Sequence, residues 1–217
     1  GYTGNKPQQS LLPWFFFPVI IPQSTHPLVK NLNAIKHEFV SSIDEVGNDD
    51  IRKTPLLTTS PYSKVLMTPV RVSLDMLRKK PEPDMFNSGP KNTALLLEGQ
   101  FVSNFRNRIP ATISQDTLIK FRETSPSTAM IVVSDGDVIK NRMHKGQVVP
   151  LGEDRYTGQV FGNKNFIMNC VDFLCDDSGI MEVRAKELRL RLLDRTRLEK
   201  EKAKWQLISA GLPLVLV

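Results

Sequence analysis

Ala94-Leu95-Leu96-Leu97-Glu98-Gly99 is the stretch on which the fold turns. An unbroken apolar run stopped by a carboxylate and a glycine leaves no polar side for water, which is the pattern of a strand covered on both faces. Two further runs share it, Thr54-Pro55-Leu56-Leu57-Thr58-Thr59-Ser60 and Ala129-Met130-Ile131-Val132-Val133-Ser134-Asp135-Gly136-Asp137. With helical candidates between and after them, the three runs predict an α/β fold. Its expected form is an open, mostly parallel sheet flanked by helices.

The clearest helical pattern is Lys164 to Cys175. Phe166, Cys170 and Leu174 recur on one face, with Ile167 and Val171 beside them. Asn163 suits the N-cap, Phe161 is placed to staple onto Ile167, and Asp176-Asp177-Ser178-Gly179 stops the helix. Val70 to Lys80 is a second helical candidate. Nearer the N-terminus, Pro27 opens a short helix with Leu28, Val29, Leu32 and Ile35 on one side. Glu38 to Ile43 alternates at period two, as a half-buried strand does. Leu11 to Pro22 is rich in strand formers but interrupted by Pro13 and Pro18, which suits an edge or arm rather than a central strand.

The domain boundaries expected are an extended lead-in and aromatic arm over 1–22, an α/β domain over 23–194, and a charged helix entering an apolar run over 195–217. Within the last part of that domain, Glu187 to Leu192 alternates as a strand; Arg195 to Lys204 is a charged helix. Trp205 to Val217 is uncharged and opens on an aromatic residue. As a helix, thirteen residues span about 20 Å against about 30 Å of bilayer core. The run reads as the first half of a membrane span, with a terminal docking helix as the rival. On the first reading the chain is a piece of a longer protein.

Composition limits the partners. Forty per cent apolar and 24% charged residues are ordinary globular values, and 15 prolines argue against an all-helical bundle. The net charge is +6, yet Glu182 to Lys204 alone holds nine Lys/Arg against five Asp/Glu. The remainder is nearly balanced, so no broad basic face and no nucleic-acid partner are implied. Cys170 and Cys175 sit in the helical segment, projecting roughly 140° apart, which suits neither a disulfide nor a shared metal. Cys170 is expected to pack as a small apolar residue.

Phosphate-loop, dinucleotide, zinc-protease, serine-hydrolase and CxxC signatures are absent, and the histidines at 26, 37 and 144 are scattered. No metal or cofactor is expected. Ser134-Asp135-Gly136-Asp137 is either a catalytic or cation-binding loop or a turn, with Asp137 capping the next segment. In a parallel sheet, ligands bind beyond the carboxyl ends of the strands. That rule gathers Thr59, Ser60, Glu98, Ser134, Asp135 and Asp137 into one polar crevice, and the alternative reading of the chain is a domain that binds or hydrolyses a small molecule or carbohydrate there.

An ordered set of segments goes beyond generic patterning: LPWFFFP (12–18), HPLVKNLNAIKHEFVSSID (26–44), KTPLLTTSPYS (53–63), ALLLEGQFVSNFRNR (94–108), MIVVSDGDVIKN (130–141), YTGQVFGNKNFIMNCVDFL (156–174) and DDSGIMEVRAKELRLRLLD (176–194). The set resembles the GldG-type gliding-motility-associated ABC transporter accessory proteins of Bacteroidota. The resemblance implies the C-terminal half of an extracytoplasmic region, on the periplasmic side of the inner membrane and anchored by a C-terminal helix. It implies partnership with a permease and an ATP-binding subunit. It also implies flavodoxin-like and class I amidotransferase-like folds. An amidotransferase needs a nucleophilic cysteine after a buried strand, and neither cysteine stands there, so the expected role is non-catalytic. The arm carrying Trp14 to Phe17 is expected to lie exposed, free to pack on an upstream half.

Overall fold

The computed structural model describes residues 2–3, 6–7, 12, 14–47, 50–78, 81–154 and 157–176. In chain order the strands are β1 (Tyr2–Thr3), β2 (Lys6–Pro7), β3 (Val19–Ile20), β4 (Ile35–Lys36), β5 (Arg52–Thr58), β6 (Asn92–Gly99), β7 (Thr128–Val133), β8 (Arg142–His144) and β9 (Gln147–Val149). The helices are α1 (Ala111–Ser114) and α2 (Asn163–Leu174), with short 3-10 segments at Leu74–Arg78, Pro83–Met85 and Gly136–Ile139.

The three apolar runs do form one sheet, in the order β5-β6-β7, but β6 runs antiparallel to both neighbours. The other pairings among the described residues, β1 with β2, β3 with β4 and β8 with β9, are antiparallel too. The expected parallel, flavodoxin-like sheet is therefore overturned. An apolar run reports how well a strand is covered, not which way it points. Parallel neighbours need a crossover, usually a helix. The connections over 59–91 and 100–127 are long enough for one, but among the described residues their helical structure is limited to 3-10 turns and the four-residue α1.

Register explains the apolar runs. Ala94 and Leu96 face the same way as Val133 and Ile131, their partners on β7. This side joins the core, with Leu57 of β5, Phe166 and Cys170 of α2, Ile35 of β4, and Leu28, Val29 and Val138 from the connecting segments. Each large side chain buried here contributes about 1.5–3 kcal/mol. On the opposite side Leu95 and Leu97 pair with Val132 and Met130, which remain 36% and 46% exposed. Only the central strand is covered on both sides; β7 alternates. In β5, Leu56 and Leu57 are both buried because the register shifts between Pro55 and Leu57. Proline donates no ladder hydrogen bond, so such an irregularity belongs on an edge strand.

α2 lies where the sequence places it, with Phe166 and Cys170 buried, and Cys170 packs as an apolar group whose thiol burial pushes up to about 12. Its start differs. Gly162 is the N-cap and Asn163 the first helical residue, which moves the staple positions to Phe161 and Phe166, both buried. Gly162 is dictated by crowding: a Cβ there would meet the Asn33 carbonyl oxygen at 2.6 Å.

Three local expectations fail for identifiable reasons. Among its described residues, 70–78, the candidate helix Val70 to Lys80 yields only the 3-10 segment Leu74–Arg78. Pro69 and the β-branched Val70 and Val72 precede Ser73, whose hydroxyl accepts from Asp75 N at 3.2 Å and starts the turn late. Glu38 to Ile43 is not a strand: Phe39 adopts a positive φ of 53° and only Ile43 bridges, to Asn92. Residues after Pro27 make hydrogen-bonded turns rather than a helix, although Leu28, Val29 and Ile35 are buried as expected.

The aromatic arm turns back on the domain. β3 pairs with β4 and buries Ile20. Trp14 to Phe17 are half-buried rather than exposed, with Phe16 and Phe17 against Phe39 at 5.5 and 5.3 Å between ring centroids, and Phe15 against Phe86 at 5.8 Å. The strand at Glu187–Leu192, the helix at Arg195–Lys204 and the run Trp205–Val217 lie outside the described residues. Among the described residues, no helix is long and apolar enough to cross a membrane.

Candidate functional site

Antiparallel pairing decides where the predicted site residues go. Glu98 closes β6 opposite Arg52 and Ala129, whereas Thr58 pairs with Asn92 and Val133 with Ala94 at the other end. From Glu98 to Asn92 the strand runs about 20 Å. Thr59 and Ser60 therefore lie at the same end of the sheet as Ser134 and Asp135, while Glu98 is at the other. The predicted common crevice is not assembled.

Each of these side chains also has local work. Glu98 accepts from Arg52 Nε at 3.0 Å and Nη2 at 2.5 Å. Thr59 Oγ1 accepts from Lys91 N at 2.9 Å, and Ser60 Oγ donates weakly to the Tyr62 carbonyl at 3.3 Å. Ser134 Oγ lies 2.5 Å from the Ser41 carbonyl oxygen and 3.1 Å from that of Thr93, and ties the end of β7 to two other segments.

Asp135 is the most consequential of them. It is buried, and its Oδ1 accepts from Asp137 N at 2.8 Å, which caps the 3-10 segment Gly136–Ile139. The cap is thus Asp135, not Asp137 as the sequence suggested. Its Oδ2 accepts from Glu38 N at 2.8 Å and lies 3.1 Å from Nδ1 of the fully buried His37. One carboxylate thereby joins the turn after β7 to the segment after β4. Burial of His37 lowers its pKa; the adjacent Asp135 charge and hydrogen bond oppose the shift without reversing it. The ring is therefore neutral near pH 7, with the Nδ1 proton donated to Asp135. His37 Nε2 is buried without a partner among the described residues. Enclosed in this way it cannot reach a substrate, so the couple reads as a clamp rather than an acid–base pair.

Beside the clamp lies a charged crevice lined by Lys36, Glu38, Asp137, Lys140, Arg142 and Asn163, with Pro150 to Glu153 on the far side. Its space of about 30 Å³ holds roughly two waters. Its charges satisfy one another: Lys36 Nζ reaches Asp154 at 2.5 Å and Glu38 at 3.5 Å, Arg142 pairs with Glu38, and Lys140 with Asp137 at 2.9 Å. Asn163 works as a backbone mimic. Its Oδ1 accepts from Lys36 N at 3.0 Å and its Nδ2 donates to Lys36 O at 2.8 Å, so the first residue of α2 extends the pairing of β4. Gly152, at φ +88°, lets the loop close, since a Cβ would lie 2.7 Å from the Phe161 carbonyl oxygen.

Sequence reasoning missed Lys36, His37, Glu38, Arg142, Asp154 and Asn163 as a group. Their partners are far apart in the chain, Lys36 and Asn163 by 127 residues and His37 and Asp135 by 98. No local pattern carries that pairing. Among the described residues no group of three or more His, Cys, Asp and Glu is placed to hold a metal ion.

A family model described as an ABC-type uncharacterized transport system, an auxiliary family, matches residues 1–170. No curated protein and no solved structure matches the chain.

Proposed function

We propose a role that proceeds from one premise: the chain belongs to this auxiliary family of ABC-type transport systems. In the proposal it is a non-catalytic accessory subunit, associated with a permease and an ATP-binding subunit in a system of the gliding-motility type. The domain stands on the periplasmic side of the inner membrane and works through protein contacts. Family membership is the observation that carries the reading. The polar cluster supports it, because Lys36, Glu38, Asp137, Lys140 and Arg142 are held in ion pairs around a space of water size. The resemblance of the ordered segments to GldG-type proteins supports the gliding association and the location.

Affinity purification of the tagged natural protein from its own membranes, followed by identification of co-purifying chains, tests the role. The expected result is recovery of an ATP-binding subunit and a permease. Recovery of neither from gently solubilised membranes overturns it. A reporter that is active only in the periplasm, fused to the natural protein, tests the location separately; an inactive fusion that is expressed and stable removes that part of the proposal.

A further inference from the structure

The connection from β6 to β7 carries a surface that neither the fold nor the charged crevice uses. Its two ends are fastened together. Phe101 N donates to Ser125 Oγ at 2.9 Å, Ser125 N to the Phe101 carbonyl at 2.9 Å, and Ser103 N to the Glu123 carbonyl at 2.8 Å, beside a bridge between Val102 and Thr124. A loop closed at its neck holds a definite shape without contributing to the core. Inside the neck, turns follow one another through 104–108 and 117–119 around α1.

Beyond that neck the loop exposes large apolar side chains interleaved with cations. Leu118 is 90% exposed, Phe105 65% and Ile119 55%. Phe105-Arg106-Asn107-Arg108 leaves the neck on one side and Leu118-Ile119-Lys120-Phe121-Arg122 returns to it on the other. The acidic groups within the loop are engaged. Glu123 pairs with Arg106 at 3.5 Å, and Asp116 Oδ1 accepts from Leu118 N at 2.7 Å. Four cations, Arg106, Arg108, Lys120 and Arg122, outnumber the two carboxylates, Asp116 and Glu123, so the 101–125 loop keeps a net charge of +2, with Arg108, Lys120 and Arg122 as its positive rim.

We propose that the 101–125 loop docks on an anionic lipid surface, with Phe105, Leu118 and Ile119 entering the headgroup–acyl boundary and Arg108, Lys120 and Arg122 meeting lipid phosphates. Exposed apolar tips beside long cationic side chains are the chemistry of an interfacial anchor, in which the apolar stems lie against the lipid and the charges stay in the headgroups. An acidic protein face would pair with the cations but offers no general cover for three protruding apolar side chains. Choosing a bilayer over such a face rests on the transport reading above, which puts the protein at a membrane. The contact itself requires no transporter subunit.

The test is co-sedimentation of the full 217-residue chain with vesicles of phosphatidylcholine alone or with about a third phosphatidylglycerol. The loop variants are Phe105→Ser/Leu118→Ser and Arg108→Gln/Lys120→Gln; both alter exposed residues, and an unchanged thermal unfolding midpoint confirms that they fold. The run Trp205–Val217 is the same in every chain, so any attachment through it shows equally on phosphatidylcholine alone, and the loop's share is read as the gain in binding on adding phosphatidylglycerol. The expected result is stronger binding to anionic vesicles, reduced on the order of 30-fold by removing two cations, at about fivefold each, and reduced comparably by the apolar pair. Equal binding by the variants and the unchanged chain overturns the proposal. So does a result in which vesicle binding is unaffected but the variants lose co-purifying subunits, which would make the loop a protein-docking element. Loss of vesicle binding with subunits retained supports the loop proposal and leaves the transport reading intact.

Discussion

The two sides of the central sheet are built from the same kinds of residue and behave differently. Ala94, Leu96, Ile131 and Val133 meet α2 and the connecting segments, whereas Leu95 and Leu97 share their side with the half-open Val132 and Met130. Adjacent residues in one apolar run thus hold unequal shares of the fold. Coverage is decided by what the connections bring over each side, and among the described residues they bring a helix to only one.

The largest effect should come from the covered side. Phe166→Ala removes a fully buried ring from α2 and is expected to cost about 3–5 kcal/mol, and Leu96→Ala about 2–5 kcal/mol, by chemical denaturation. Met130→Ala, on the open side of β7, should cost less than about 1 kcal/mol. Similar losses at Leu96 and Met130 would break the comparison.

Next in size is the clamp joining β4 to the turn after β7. Asp135→Ala strips acceptors from two backbone N–H groups and from His37, and should cost about 2–3 kcal/mol in the same measurement. Its histidine adds a pH dependence of known sign. Because the folded-state pKa of His37 lies below its ordinary 6.5, the unfolded chain binds the proton more readily. This contribution to stability is complete above about pH 6.5 and declines as pH falls towards the folded-state pKa. In thermal melts between pH 7 and 5, His37→Gln should flatten that decline; an unchanged slope would remove His37 as its source.

The smallest effect is expected where the sequence placed a ligand group. The Glu98–Arg52 pair is open to solvent on the arginine side, so Glu98→Gln should change stability by no more than about 1 kcal/mol, and less at high salt. A large loss there would mean that the far end of the sheet is a structured site.

The three strand segments, α2 with its buried Phe166 and Cys170, and the apolar packing of Cys170 were legible in the sequence, because each is a local pattern of period or burial; Leu174, read onto that face, and Val171, read beside it, are instead 48% and 51% exposed. Strand direction was not: an Ala94–Leu97 run looks alike whether its neighbours run parallel or antiparallel. The polar site was lost with it, since the crevice joining Glu98 to Ser134 and Asp135 existed only if the strands ended together. Asp135 was noticed as one of a pair of carboxylates, but its partner His37 is distant in sequence and lies just before the segment read as a strand. Asn163 was read for its capping propensity, yet its amide matches the backbone of Lys36 more fully than it would cap a helix.

The antiparallel order of β5, β6 and β7 is what turns the polar residues from a crevice into separate braces, and a pair of cysteines tests it directly. Leu97 and Met130 are register partners, a separation that a disulfide spans, whereas Leu97 and Val132 are two positions out of register. In a chain carrying Cys170→Ala and Cys175→Ser, mild oxidation of Leu97→Cys/Met130→Cys should give a near-complete 97–130 crosslink by peptide mapping. Leu97→Cys/Val132→Cys should give little. Equal crosslinking of the two pairs, or none at 97–130 in the folded protein, would contradict the sheet on which this account rests.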